Sequence, residues 1–359
     1  MSIKYNGGYI PAVGADGTTL VANSASATGM AWAGPTFAAG KNKIINGDFG
    51  VWQRGTSFSS PTSSAYNADR FYFAFDGTGA TRTISQQTFD YSASPAADKL
   101  PITGYQSAYF WRLSETVAGS GGSYKLLAQK IEDVRTFAGQ TVTVSFWGKA
   151  DASRSVSVAF TQNFGSGGSA AVTVYPTGST LTTSWARYTY TTTLASIAGK
   201  TIGTNAFLEI DINLQINTTQ TVDIWGVQVE AGSVATSFQT ATGTFQGELA
   251  ACQRYYWRNS VVYGSIGIIQ QQTTTTAGTV VPFPVQMRTI PTLDANSGTN
   301  YFIVKTLNTT NNISGAWTLD VASLTSSEIY VTTPATVAGS AGFAYLNNAS
   351  AYIGFSAEL

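Results

Sequence analysis

Two carboxylates and an amide recur at every second position in Leu208-Glu209-Ile210-Asp211-Ile212-Asn213-Leu214. Strict alternation of apolar and polar residues marks a half-buried strand, so Glu209, Asp211 and Asn213 share one face. Neighbouring Cα atoms on such a face are about 6.5–7 Å apart, which overlaps the carboxylate spacing of inverting glycosidases. Any strand with a polar face has this spacing, so a solvated face is the plainer reading. Among the remaining options a hydroxyl-rich ligand fits better than catalysis, with Asn213 as a further donor. A second set of residues is Trp185, Tyr188 and Tyr190. Sugars stack their apolar C–H faces on aromatic rings, and Tyr188 and Tyr190 fall on one face of a strand. Core packing competes for the same side chains. Trp52, Trp147 and Trp225 sit in apolar-rich stretches and are assigned to the core.

Composition removes other chemistries. The chain has no histidine, so the usual general base, the commonest metal ligand and a Ser-His-Asp triad are missing. Cys252 is the single cysteine; it can form neither an intrachain disulfide nor a cysteine-based zinc site. Its place on the apolar stripe of a helix reads as a buried thiol. Acidic and basic residues balance at 19 each, so no basic field for nucleic acid exists. No apolar run is long enough to span a bilayer, and no secretory leader pattern is found. A lone thiol fits folding in a reducing cytoplasm. The loops Gly119-Ser120-Gly121-Gly122 and Gly165-Ser166-Gly167-Gly168 lack the Lys and the strand-to-helix context of a phosphate loop and read as hairpin turns.

The elements that must position these residues are mostly short strands. The 359 residues suit two or three domains. Residues 1–41 are small, polar and turn-rich, and bury too little to fold alone; they read as an extended N-terminal arm. Residues 42–240 alternate with period two, as in Val142, Val144 and Phe146, or Val156, Val158 and Phe160. Many such strands predict an antiparallel sandwich or jelly roll. At Trp225-Gly226 the alternation slips phase, which predicts a β-bulge. Phe245, Leu249, Cys252 and Tyr256 recur at helical spacing and predict a helix from Gln246 to Arg258, within a connector 241–258. Residues 259–359 return to strands as a second, smaller β domain. The fold class is all-β.

Two phrases carry a resemblance. Asn42-Lys-Ile-Ile-Asn-Gly-Asp-Phe-Gly-Val-Trp-Gln-Arg-Gly-Thr-Ser-Phe58 resembles the opening strand of jelly-roll carbohydrate-binding modules found in bacteriophage virion proteins. Val222-Asp-Ile-Trp-Gly-Val-Gln-Val-Glu-Ala-Gly-Ser233 resembles their closing phrase. Glu248 to Tyr256, followed by Phe283-Pro-Val-Gln-Met-Arg-Thr-Ile-Pro-Thr292, is similar to a C-terminal module of phage and prophage tail and fibre proteins. Such modules often hold a structural calcium near the phrases where Asp48 and Asp223 stand. Two side chains fall short of six to eight ligands, and no cofactor or metal is expected.

The resemblance implies a fibre-type virion protein that is not an enzyme. It would be made in the host cytoplasm, assembled as a homotrimer, and joined to other virion proteins through residues 1–41. Its outward domains would contact host surface glycans, with Trp185, Tyr188, Tyr190, Glu209, Asp211 and Asn213 as the candidate sugar-binding residues. No nucleic acid and no membrane insertion are expected. Alternatives are a capsid decoration or cement protein, a head fibre, and a glycan-degrading tailspike. A secreted cellular glycan-binding protein is opposed by the missing leader pattern.

Overall fold

The computed structural model describes Lys4–Tyr5, Gly8–Tyr9, Thr19–Ala22 and Met30–Ala33, and residues 40–91, 107–306 and 309–359. The first four pieces are strands β1 to β4, paired as two antiparallel hairpins, β1 with β2 and β3 with β4. The rest of the expected arm, up to residue 39, lies outside the described residues. The chain divides into two compact units, Met1–Glu248 and Leu249–Leu359.

In the first unit, one sheet contains β6 (Ala65–Tyr66), β7 (Tyr72–Phe75), β10 (Lys125–Ile131), β12 (Arg154–Asn163), β13 (Val172–Val174), β14 (Ser179–Leu181) and β16 (Phe207–Leu214). The other contains β5 (Ser57–Ser59), β8 (Thr81–Thr88), β9 (Tyr109–Val117), β11 (Thr141–Ala150), β15 (Ala186–Thr193) and β17 (Gln220–Ala231). Their orders are β13-β12-β16-β10-β7-β6, with β14 also on β12, and β15-β11-β17-β9-β8-β5. From β10 onward the long strands alternate between the sheets: β10, β12 and β16 in one, β11, β15 and β17 in the other. This wiring makes a jelly roll. Apolar residues at every second position fill the space between the sheets. Val144 and Phe146, Val158 and Phe160, Leu208, Ile210 and Ile212, and Val222 and Ile224 belong to one buried cluster.

The phase slip is a bulge. Pairing between β11 and β17 shifts from Ser145↔Gln228 to Trp147↔Trp225. Gly226 takes φ +67°, and a Cβ there would lie 2.8 Å from the Trp147 ring. The bulge lets Ile224 and Val227 both reach the core.

The opening phrase is not a ladder strand, in contrast to the expectation; residues 42–56 are turns and irregular chain. They lie against β17 through single bonds. Lys43 N donates to Val229 O, and Val227 N donates to Gly47 O. Asn42 Nδ2 donates to Val227 O, while its Oδ1 accepts from Val229 N. A Cβ on Gly47 would sit 2.2 Å from Val227 O. The two phrases, far apart in sequence, thus form one joint.

The helix α1 runs Phe245–Gln253, shorter than expected. Thr244 caps it, accepting from Gly247 N. It stops because β18 (Tyr256–Asn259) leaves to pair with β27 (Ile353–Ser356). Phe245 is exposed and contributes nothing to the helix's buried side, whereas Cys252 is buried.

In the second unit β21 (Thr292–Ala295) completes a three-stranded sheet, β18-β27-β21. A seven-stranded sheet runs β23 (Thr309–Ile313), β22 (Phe302–Thr306), β26 (Ala341–Leu346), β19 (Ser265–Gln271), β20 (Thr276–Pro282), β25 (Ser326–Thr332) and β24 (Thr318–Ala322). Ile269, Val281, Val304, Ile329 and Leu346 from the large sheet share one core with Ile353 and Phe355 from the small one.

Candidate functional site

Each sheet of the jelly roll has an outer face, and the two differ in what lies on them. On the sheet containing β11 and β17, Trp147 and Trp225 meet at 5.3 Å, joined by Phe89 and Phe110. The chain itself covers this face. Phe238 packs on Trp225 at 4.7 Å. Gln228 and Glu230, both buried, hold the backbone of residues 236–239: Thr236 N donates to Glu230, and Gln239 N to Gln228. Trp147 and Trp225 are therefore buried as expected, but outside the inter-sheet core. Asp223 on the same face takes both Arg112 Nε and Nη2, at 2.6 and 2.8 Å, with Lys149 at 3.7 Å. Its oxygens are engaged by cations.

The aromatic set from the sequence does not form a sugar platform. On β15 the tyrosines point inward and the threonines outward. Tyr188 and Tyr190 stack on Phe146 at 5.8 and 6.1 Å, and Tyr190 is 3% exposed. Core packing claims both. Trp185 is half-buried against Phe89 and Phe110, with Lys149 Nζ 5.4 Å from its ring. It lies with the sheet opposite to the one that carries Glu209, Asp211 and Asn213.

Those three residues do share a face, the outer face of the sheet containing β16. Strand register extends them into rows. One row is Tyr66–Tyr72–Ala128–Asp211–Ala159. Beside it run Lys130–Glu209–Thr161 and Ala74–Leu126–Asn213–Ser157. The alanines make a low floor between taller side chains. Tyr66 and Tyr72 meet edge to face at 5.6 Å. Lys130 Nζ lies 5.4 Å from the Tyr72 ring and 4.7 Å from that of Phe207, a cation–π bridge along one margin. Tyr66, Tyr72, Lys130 and Phe207 were missed in the sequence reading because their place beside β16 depends on pairing between distant strands.

The floor has unusual electrostatics. Asp211 is 9% exposed, and its Oδ1 has no hydrogen-bond partner. Burial pushes its carboxyl well above the ordinary range, and the neighbouring Glu209 charge raises it further, while Lys130 pulls it down. Burial also raises Glu209, partly offset by its hydrogen bond with Asp211. Asp211 therefore keeps its proton to higher pH than a solvated carboxyl. Carboxyls in hydrogen-bond contact are closer than the roughly 5–9.5 Å across which glycosidases hold a substrate. What the pair offers is a donor beside acceptors, the complement of a hydroxyl group. Among the described residues no group of three or more His, Cys, Asp or Glu is arranged to hold a metal.

The second unit has a contrasting outer face on its seven-stranded sheet. Register places Lys305–Phe343–Ile268 in one row and Val280–Glu328–Val321 in another. Ile268 is 72% exposed; Val280, Val321 and Phe343 are also exposed. A shallow hollow of about 320 Å³ lies between Ile268, Gly278, Val280 and Glu328.

No family model matches the chain, and no curated protein sequence does. Among solved structures, the enzymatically active domain of bacteriophage CBA120 tailspike protein 4 is similar at TM-score 0.33 and 15% identity, over 54% of this chain and 22% of that chain. A carbohydrate-binding module of family 4 aligns at TM-score 0.30 and 23% identity, covering 53% and 99%. A xylan-binding domain from Paenibacillus barcinonensis aligns at TM-score 0.32 and 10% identity, covering 56% and 100%. The jelly-roll assignment rests on strand wiring and not on these likenesses.

Proposed function

We propose that the jelly roll binds glycan on the outer face of the β6–β7–β10–β16–β12–β13 sheet. The observation that carries this reading is the Tyr66–Tyr72–Ala128–Asp211 row, with Glu209 and Asn213 on either side. Half-buried Tyr66, Glu209 and Asn213 supply the accessible edges there, around a floor of Tyr72, Ala128 and Asp211 that is itself buried. Polar groups buried without partners are costly, and a ligand hydroxyl at Asp211 Oδ1 relieves that cost. The test is titration of the full chain with host surface polysaccharide, wild type against Asp211→Ala. Loss of binding in the variant supports the reading; equal binding sinks it.

We infer further that the chain works on a virion as a fibre-type protein, supported by the phrases at 42–58 and 222–233. Residues 1–41 would join it to the particle. Self-association through the apolar face of the second unit fits this role, with three copies implied by the fibre resemblance. Lys305 ends one row and Glu328 sits between Val280 and Val321 in the other, four strand spacings or about 19 Å apart. They are too distant to pair within one chain, and a second copy brings opposite charges together. Immunogold labelling of intact particles checks the placement. Label at the tail tip supports the fibre, label across the head supports a decoration protein, and no label on particles overturns the virion reading.

A further inference from the structure

One end of the jelly-roll core is closed by charge instead of hydrocarbon. Arg82 on β8, Glu115 on β9, Lys125 on β10 and Gln220 on β17 follow the inward parity of Ile84, Leu113, Leu127 and Val222. They are buried, with Arg82 at 6%, Glu115 at 3% and Lys125 at 3% exposure. Arg82 Nη2 donates to Glu115 Oε1 at 3.0 Å, and Lys125 Nζ donates to Oε2 of the same carboxylate. Gln220 Nε2 also donates to that carboxylate, at 3.3 Å. Two cations thus share one anion, leaving one positive charge in excess. The nearby Asp76 does not balance it. Its carboxylate stands at the exposed turn, where solvent screens it, and accepts from Ser123 N, Ser123 Oγ and Tyr124 N instead of pairing with Arg82 or Lys125.

Arg82 is under-used as well. Its Nε and Nη1 are buried and have no partner. Its guanidinium lies over the Phe75 ring, 3.7 Å from the centroid. Arg82 and Phe75 line a cavity of about 160 Å³, bounded by Ser60, Gly77, Gly79 and Ala80. Phe75 faces inward where its neighbour Ala74 faces the glycan face, so this cavity is a different place. Buried charge is stable only when paired, and a guanidinium with unfilled donors matches a planar oxyanion.

We propose that this cavity binds a single carboxylate group, which neutralises the excess charge and takes the open donors of Arg82. The cavity suits a small acid or the carboxyl of an acidic sugar. It is independent of the glycan face, and its failure would leave that reading untouched.

The test follows thermal unfolding of the full chain in sodium acetate, sodium glucuronate and sodium chloride at equal ionic strength. Acetate is expected to raise Tm saturably above chloride, by about 3–5 °C at tenfold excess over its Kd. A rise with glucuronate at lower concentration assigns the site to acidic sugars; a rise with acetate alone assigns it to small free acids. Arg82→Gln leaves Lys125 and Glu115 as a balanced pair and should lose the response. Ala80→Leu fills the cavity without altering charge and should also lose it. Equal Tm in acetate and chloride overturns the proposal, as does a response retained in Ala80→Leu or in folded Arg82→Gln.

Discussion

The outer face of the β16 sheet and the outer face of the β19–β20 sheet are built to the same plan with opposite contents. Both lie on sheets whose other side faces a buried core. The first sets Asp211, Glu209, Asn213 and Lys130 among tyrosines and alanines. The second exposes Phe343, Ile268, Val280 and Val321, with Lys305 at one end and Glu328 between the two valines. A polar floor holds donors and acceptors that a hydroxylated ligand can satisfy. An exposed apolar row gains most when another apolar surface removes it from water. Under the proposed function, ligand binding falls to one unit and self-association to the other.

The largest effect that could break this contrast belongs to Ile268→Glu. It places a charge at the centre of the apolar row and should cost assembly about 3 kcal/mol or more, over a hundredfold in dissociation constant. Sedimentation equilibrium should show monomers, with glycan affinity per site unchanged. Next comes Tyr66→Ala, expected to weaken glycan binding about tenfold, near 1.4 kcal/mol, with no change in assembly; calorimetric titration measures it.

Asp211→Asn separates function from stability. The folded carboxyl titrates above its unfolded value, so the folded state holds the extra proton between those two values. Stability is then lost as pH rises through the folded value. The amide cannot ionise, so the variant should be more stable than wild type at pH 8, by about 1 kcal/mol. Its Tm should fall less between pH 5 and pH 8. A thermal melt series in pH checks both. The smallest effect belongs to the charges Lys305 and Glu328. Lys305→Glu or Glu328→Lys alone should weaken assembly by about 0.5–1 kcal/mol, and the double swap should restore it. Failure of the double swap to restore assembly would remove the pairing between copies.

Legibility in the sequence followed locality. The alternation in β16 marked Glu209, Asp211 and Asn213 as one face because period two is a local property. The slip at Gly226 was legible for the same reason. Tyr188 and Tyr190 share a face by the same rule, and of the two readings open for it the structure gives core packing. Their alternation with Thr189 and Thr191 already carried the signal, since aromatics in and hydroxyls out is what a half-buried strand does. Lys130 and Tyr72 stayed hidden because β10, Lys125-Leu-Leu-Ala-Gln-Lys-Ile131, mixes polar and apolar residues on both sides and gives no phase. The Arg82–Glu115–Lys125 cluster was equally hidden, because three strands meet there only through their register. The helix end was misread because Tyr256 continues the helical spacing but pairs with Ser356 in a sheet.

Binding of host surface polysaccharide to wild type, Asp211→Ala and Ile268→Glu in one titration series tests the central claim most directly. The expected result is no binding by Asp211→Ala, and per-site affinity kept by Ile268→Glu with the multivalent gain lost. Binding by Asp211→Ala at wild-type strength, or its loss in Ile268→Glu alone, would contradict the division of labour between the two faces.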